Sequence, residues 1–118
     1  MKEVYTSGNE LEAKTAAYFP QYFNCSNDSA EIDDRSGKKG VEAESVTIGT
    51  VGEKTYAFIG LERIGGVMAY DITNPDKILF ANYINSRDFS KDIAGDVSPE
   101  GLCMISASES ADGNAYLL

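Results

Sequence analysis

The stretch Thr55–Ile84, TYAFIGLERIGGVMAYDITNPDKILFANYI, decides the fold. It holds three runs rich in β-branched and aromatic residues, Thr55 to Glu62, Val67 to Ile72 and Ile78 to Ile84. The dividers between them are Gly65-Gly66 and Asn74-Pro75-Asp76, which are turn words. A fourth run, Ser45 to Gly49, precedes the block and is set off by Gly52-Glu53. Connections this short join antiparallel neighbours, so the segment predicts a four-stranded meander of about 40 residues. That is the size of one propeller blade, although any antiparallel sheet in an α+β domain reads the same way on strand count alone.

Working outward, the region before the meander changes character twice. KEVYT, residues 2–6, has the composition of a short strand. Ser7-Gly8-Asn9-Glu10 then matches a capping box, with a hydroxyl at the N-cap and a carboxylate three residues later. Leu11, Thr15 and Tyr18 recur at helical spacing and Pro20 ends the pattern, so a helix is expected over about 8–18. From Asn24 to Gly40 the sequence is polar and turn-rich and predicts a long loop.

After the meander an internal echo appears. Glu44-Ser-Val-Thr-Ile48 returns as Glu100-Gly-Leu-Cys-Met104, and Gly52-Glu-Lys-Thr-Tyr-Ala-Phe58 returns as Gly113-Asn-Ala-Tyr-Leu-Leu118, one residue tighter. A fifth strand is expected near 101–106. The ending ADGNAYLL then reads as a second repeat stopped inside its second strand. Repeat units cannot cover both faces alone, so the expected fold extends past both ends of the chain. The expected organisation is the end of a preceding blade, a helix and a long loop over 1–43, a complete blade over 44–85, and an insertion loop with a truncated next blade over 86–118.

Bulk properties bound the function. The 118 residues fit one domain, and a net charge of −9 repels nucleic-acid backbones and anionic membrane surfaces. The longest apolar run, Tyr56 to Leu61, is too short to span a membrane. Cys25 and Cys103 lie in differently patterned segments and read as free thiols. No histidine occurs, which removes the commonest general base and the commonest zinc ligand.

Several segments, FNCSND, DDRSGKKGVEAESVTIG, TYAFIGLERIGGVMAYDITNP, YINSRDF and GDVSPEGL, together resemble the carboxy-terminal part of the choice-of-anchor propeller family. Members of that family are secreted or surface-attached bacterial proteins, often labelled alkaline phosphatase or surface-layer protein. The resemblance implies a mainly β fold, a propeller with one complete blade and part of another, and an extracellular or cell-surface setting. Where the family usually reads Lys-Gly-Pro-Glu-Pro-Glu-Gly, this chain has Lys39-Gly40-Val41-Glu42-Ala43-Glu44-Ser45, which keeps both carboxylates and loses both prolines and a glycine.

Three groupings carry the candidate chemistry. Glu44 and Glu100 each precede the first strand of a repeat, where they either hold calcium or magnesium through oxygen ligands or bond the amides of a nearby turn. Asp33 and Asp34 belong to an acidic loop whose spacing does not fit the calcium-loop pattern, so it is either solvated or a source of further oxygen ligands. Arg63 and Arg87, in the pairs Glu62-Arg63 and Arg87-Asp88, either fix a rim network between blades, as the resemblance implies, or recognise an anion such as a phosphoester. No catalytic residue is identified. The expected function is a non-catalytic interaction or scaffold segment, with part of a metal-dependent extracellular phosphatase as the alternative. Its expected partners are the other blades and a second copy of the chain in a symmetric dimer.

Overall fold

The computed structural model describes residues 1–118. In chain order the elements are helix α1 (Glu10–Tyr18), a single 3₁₀ turn (Pro20–Tyr22), and strands β1 (Ala43–Val51), β2 (Lys54–Leu61), β3 (Val67–Asp71), β4 (Leu79–Ile84), β5 (Met104–Ile105) and β6 (Tyr116–Leu117). Strands β1 to β4 form one antiparallel sheet in sequence order, and β5 pairs with β6 in a second. The fold is mainly β, as the turn words predict. No helix is long and apolar enough to cross a membrane.

The turn chemistry explains the order. Val51 pairs with Lys54 across the two-residue loop Gly52-Glu53, and Gly52 takes the left-handed conformation (φ +64) that such loops require at a central position. Between β2 and β3, Gly65 and Gly66 both have positive φ, and a Cβ on Gly66 would lie 2.5 Å from the Ile84 carbonyl oxygen. Only glycine fits there. At the Asn74–Lys77 turn the Asn74 side chain accepts from the Asp76 amide, closing an Asx turn.

The start of the chain corrects two expectations. Residues 2–6 form no strand and make no backbone pairing with the sheet. Helix α1 starts at Glu10 with Asn9 at its N-cap, and no side chain caps it. Gly8 turns left-handed (φ +55), so the Ser7 carbonyl rather than its hydroxyl accepts from the Glu10 amide. The Glu10 carboxylate is taken instead by the Tyr5 hydroxyl at 3.0 Å. The capping box is present in sequence and absent in space.

The register sorts the side chains of the main sheet onto two faces. One face carries Val46 and Ile48 of β1, Ala57 and Ile59 of β2, Met68 and Tyr70 of β3, and Phe80 and Tyr83 of β4. The core lies here, with Leu61, Ile64, Met68, Tyr70 and Tyr83 buried together with Cys25 and Val41. The helix covers only part of it. Tyr18 meets Phe80 and Tyr83 edge-on, Phe19 meets Tyr83, and Lys14 lies over the Phe80 ring at 4.4 Å. Val46 and Ile48, at the far edge, stay 68% and 62% exposed.

The opposite face carries Ser45, Thr47, Gly49, Phe58, Gly60, Val67 and Ala69. Segment 96–105 lies over it. A Cβ on Gly49 would meet Met104 Cγ at 2.5 Å, and the Ser45 hydroxyl donates to the Pro99 carbonyl at 3.3 Å. In β5 and β6 Met104 pairs with Leu117 and Ile105 with Tyr116, whereas in β1 and β2 Ile48 pairs with Ala57 and Gly49 with Tyr56. The second pairing thus repeats the first at the positions that the sequence echo aligns.

Candidate functional site

Charged side chains converge where the loop before β1 meets the end of β2. The loop closes on itself through the Arg35 amide to the Asn24 carbonyl and the Gly40 amide to the Arg35 carbonyl. Glu42 follows in a left-handed conformation (φ +48) and is buried. Its carbonyl accepts from the Glu62 amide and the Val41 carbonyl from the Arg63 amide, so the loop is stitched to the turn after β2. Backbone pairing brings Glu42, Glu62 and Arg63 together although they are far apart in sequence.

Glu42 is the hub. One of its oxygens accepts from Arg35 Nη2 at 2.8 Å and from Arg63 Nε, and the other faces Lys39 Nζ at 3.2 Å. Arg63 also reaches Glu62 at 3.2 Å and donates to Asn27 Oδ1 at 3.0 Å. Asn27 in turn donates to the Ser98 hydroxyl at 2.7 Å, and that hydroxyl donates to the Glu62 carbonyl. The network ties three segments, the loop at 27–42, the end of β2, and the segment before β5. The Arg63 guanidinium, followed by Lys39, holds the Glu42 carboxyl below its ordinary range. Glu62 moves the other way, raised by burial and by the carboxylates of Glu44 and Glu42 against the pull of Arg63.

Of the residues singled out from sequence, Glu44 joins this cluster. Oxygens of Glu42, Glu44 and Glu62 lie within 4.8 Å of one another. These are the carboxylates able to share a cation; Arg35, Lys39 and Arg63 occupy both oxygens of Glu42, Arg63 also reaches Glu62, and Glu44 stands beside them without an ion pair. Glu100 is exposed and stands outside the cluster. Asp33 and Asp34 are exposed in the preceding loop, where Asp33 accepts from the Ser36 hydroxyl at 2.9 Å.

Arg87 is 5% exposed and engages backbone. It donates to the carbonyls of Ser26 at 2.8 Å, Arg63 at 3.0 Å and Asp92 at 3.1 Å, and its guanidinium lies 5.0 Å from the Phe89 ring centroid. Its neighbour Asp88 bonds Ser90 instead. The two arginines therefore play different parts, Arg63 among carboxylates and Arg87 among carbonyls. Cys25 and Cys103 are both free, the first buried against Arg87 and the second exposed.

Sequence reasoning noted that Glu42 survives beside Glu44 without assigning it a role; it missed Arg35, and it placed Asn27 only in the acidic loop with Asp28, Glu31, Asp33 and Asp34. The signal for Glu42 was the retained carboxylate beside Gly40. Nothing local marks the role of Asn27, because its partner Arg63 is brought in by the chain's return after β2, whereas Arg35 meets Glu42 within the same loop. Chemically the site is a network of ion pairs centred on Glu42.

A family model for the choice-of-anchor I domain matches residues 1–75. Gigasin-3a of Magallana gigas is 33% identical over 79 residues, which cover 63% of this chain and 28% of that protein. The chain thus spans less than a third of that relative's length. No solved structure matches the chain. With the match running from the helix through the Glu42 network into the meander, the chain belongs to the choice-of-anchor I domain family.

Proposed function

We propose that the chain is a non-catalytic scaffold segment of a surface-associated protein, built from sheets that stack face to face as the blades of a propeller do. The observation that carries this reading is the packing of β5 on the main sheet. Met104, the echo of Ile48, lies against Gly49, and its strand pairs with β6 in the register of β1 with β2. This two-stranded echo of β1 and β2 resting on the main sheet supports the reading, and the glycine makes room for it.

Under this reading the Glu42 network is a clamp. It joins the loop before β1, the end of β2 and the Ser98 segment, all of which must keep their relative positions for the next sheet to dock. Arginine suits that part because its planar fork makes paired bonds to carboxylate and amide oxygens. An extracellular location and attachment to a bacterial envelope belong to the same proposal, supported by the family alone.

Hydrolysis of a chromogenic phosphate monoester by the purified chain, with calcium, magnesium or chelator, tests the non-catalytic part. No turnover above buffer is expected. Chelator-sensitive turnover that disappears in the E44A/E62A variant would overturn the reading in favour of a metal-dependent phosphoesterase.

A further inference from the structure

From the open edge of the main sheet we infer that two copies of this chain pair through β1, antiparallel, to give one continuous eight-stranded sheet. The inference stands on edge geometry and does not rest on the scaffold reading, since stacking covers faces and this pairing covers an edge.

The sheet has two outer strands, β1 and β4. Strand β4 is interrupted, its register against β3 shifting between Ala69 and Tyr70, and such irregularities protect an edge from further pairing. Strand β1 has its one irregularity at Glu44, and from Ser45 to Val51 it pairs regularly with β2. On its outer side no backbone group of Ala43–Val51 bonds to any loop or turn. The run SVTIGTV also contains no charge and no proline, in a chain where a quarter of residues are charged. The usual guards of an exposed edge are missing here.

The same strand is self-complementary. With a two-fold axis at Thr47, Val46 of one copy falls opposite Ile48 of the other, and these are the two strongly exposed apolar residues of the strand. Cross-strand β-branched pairs of this kind stabilise sheets. Glu44 falls opposite Thr50, so no like charges meet. The chain's net charge of −9 repels a second copy everywhere else, which makes the uncharged edge the favoured approach. Pairing along the five residues Ser45 to Gly49 covers less than the ~1,000 Å² that a tight interface needs, so the dimer is weak and concentration-dependent.

Sedimentation velocity on the full chain, from 10 µM to 1 mM on the order of micromolar-to-millimolar affinities, should show a reversible monomer–dimer equilibrium. Raising salt should strengthen it, and the V46K/I48K variant should raise Kd by about tenfold or more, since it sets like charges against each other. In a C103S background, T47C should form an intermolecular disulfide readily, while T50C should not, because two Thr50 positions lie far apart in this register. A chain that stays monomeric throughout, a dimer that V46K/I48K leaves unchanged, or equal cross-linking of T47C and T50C would overturn the inference.

Discussion

Replacing Arg87 by alanine tests how the long loop is held to the sheet. The guanidinium donates to the carbonyls of Ser26, Arg63 and Asp92, which belong to three separate loops, while being almost wholly buried. A charged donor contributes about 1.5–3 kcal/mol per bond, which would give about 4.5–9 kcal/mol for the three. Burying the guanidinium offsets part of that, and water entering the vacated space satisfies some carbonyls, so the net loss should be about 3–5 kcal/mol. Domains of this size are stable by about 5–15 kcal/mol, so the variant keeps little margin. With a urea slope of about 1–3 kcal/mol per molar, the midpoint should fall by about 2 M. R87K should recover part of the loss, since an ammonium keeps the charge but cannot span the same carbonyls. Equilibrium urea unfolding followed by circular dichroism is the assay. A loss below about 0.5 kcal/mol for R87A, the range of ordinary surface substitutions, would refute the role given to its three carbonyl bonds.

Two further outcomes follow from the geometry. G49V drives a side chain into Met104 and should cost about 1–3 kcal/mol by overpacking; amide exchange should show β5 and β6 released while β3 and β4 stay protected. The two buried glutamates should respond to pH in opposite senses, measured as urea midpoints between pH 4 and pH 7. The Glu42 pKa is lowered in the folded state, so its stabilisation is present above the ordinary value of 4.5 and is lost as pH falls through the folded value. E42Q should therefore look progressively worse against wild type as pH rises. The Glu62 pKa is raised, so its contribution is full below 4.5 and is lost as pH rises through the folded value. E62Q should look progressively better over the same range, and parallel trends in the two variants would contradict the assigned network.

The meander was legible because its punctuation is local. Gly52-Glu53, Gly65-Gly66 and Asn74-Pro75-Asp76 each impose a turn whatever surrounds them, and the runs between them alternate as strands do. The pairing of β5 with β6 also follows the echo, Met104 meeting Leu117 as Ile48 meets Ala57. The capping box misled because Gly8 accepts a left-handed turn that carries the Ser7 hydroxyl away from the helix. The clamp was only half visible. Glu62-Arg63 is a sequence neighbour pair, but Glu42 and Asn27 reach Arg63 through tertiary contacts, and Arg87 chose carbonyls over the adjacent Asp88. Local patterns reveal turns and strands; the partners of a long side chain depend on what the rest of the chain delivers to it.

The unequal settings of the two cysteines give the molecule a clock of its own. Cys103 is open to reagents, whereas Cys25 sits at zero exposure against Arg87, its thiol pushed up by burial more than the guanidinium draws it down. A thiol dye thus counts one sulfur on the intact chain and two on the opened one. The slow second count measures how often the 24–36 loop lifts from the sheet, with no label, tag or substitution added. Because that loop is held by Arg87 together with the Asn27–Arg63 and Arg35–Glu42 bonds, the delay between the two counts reads out their joint strength in the native setting.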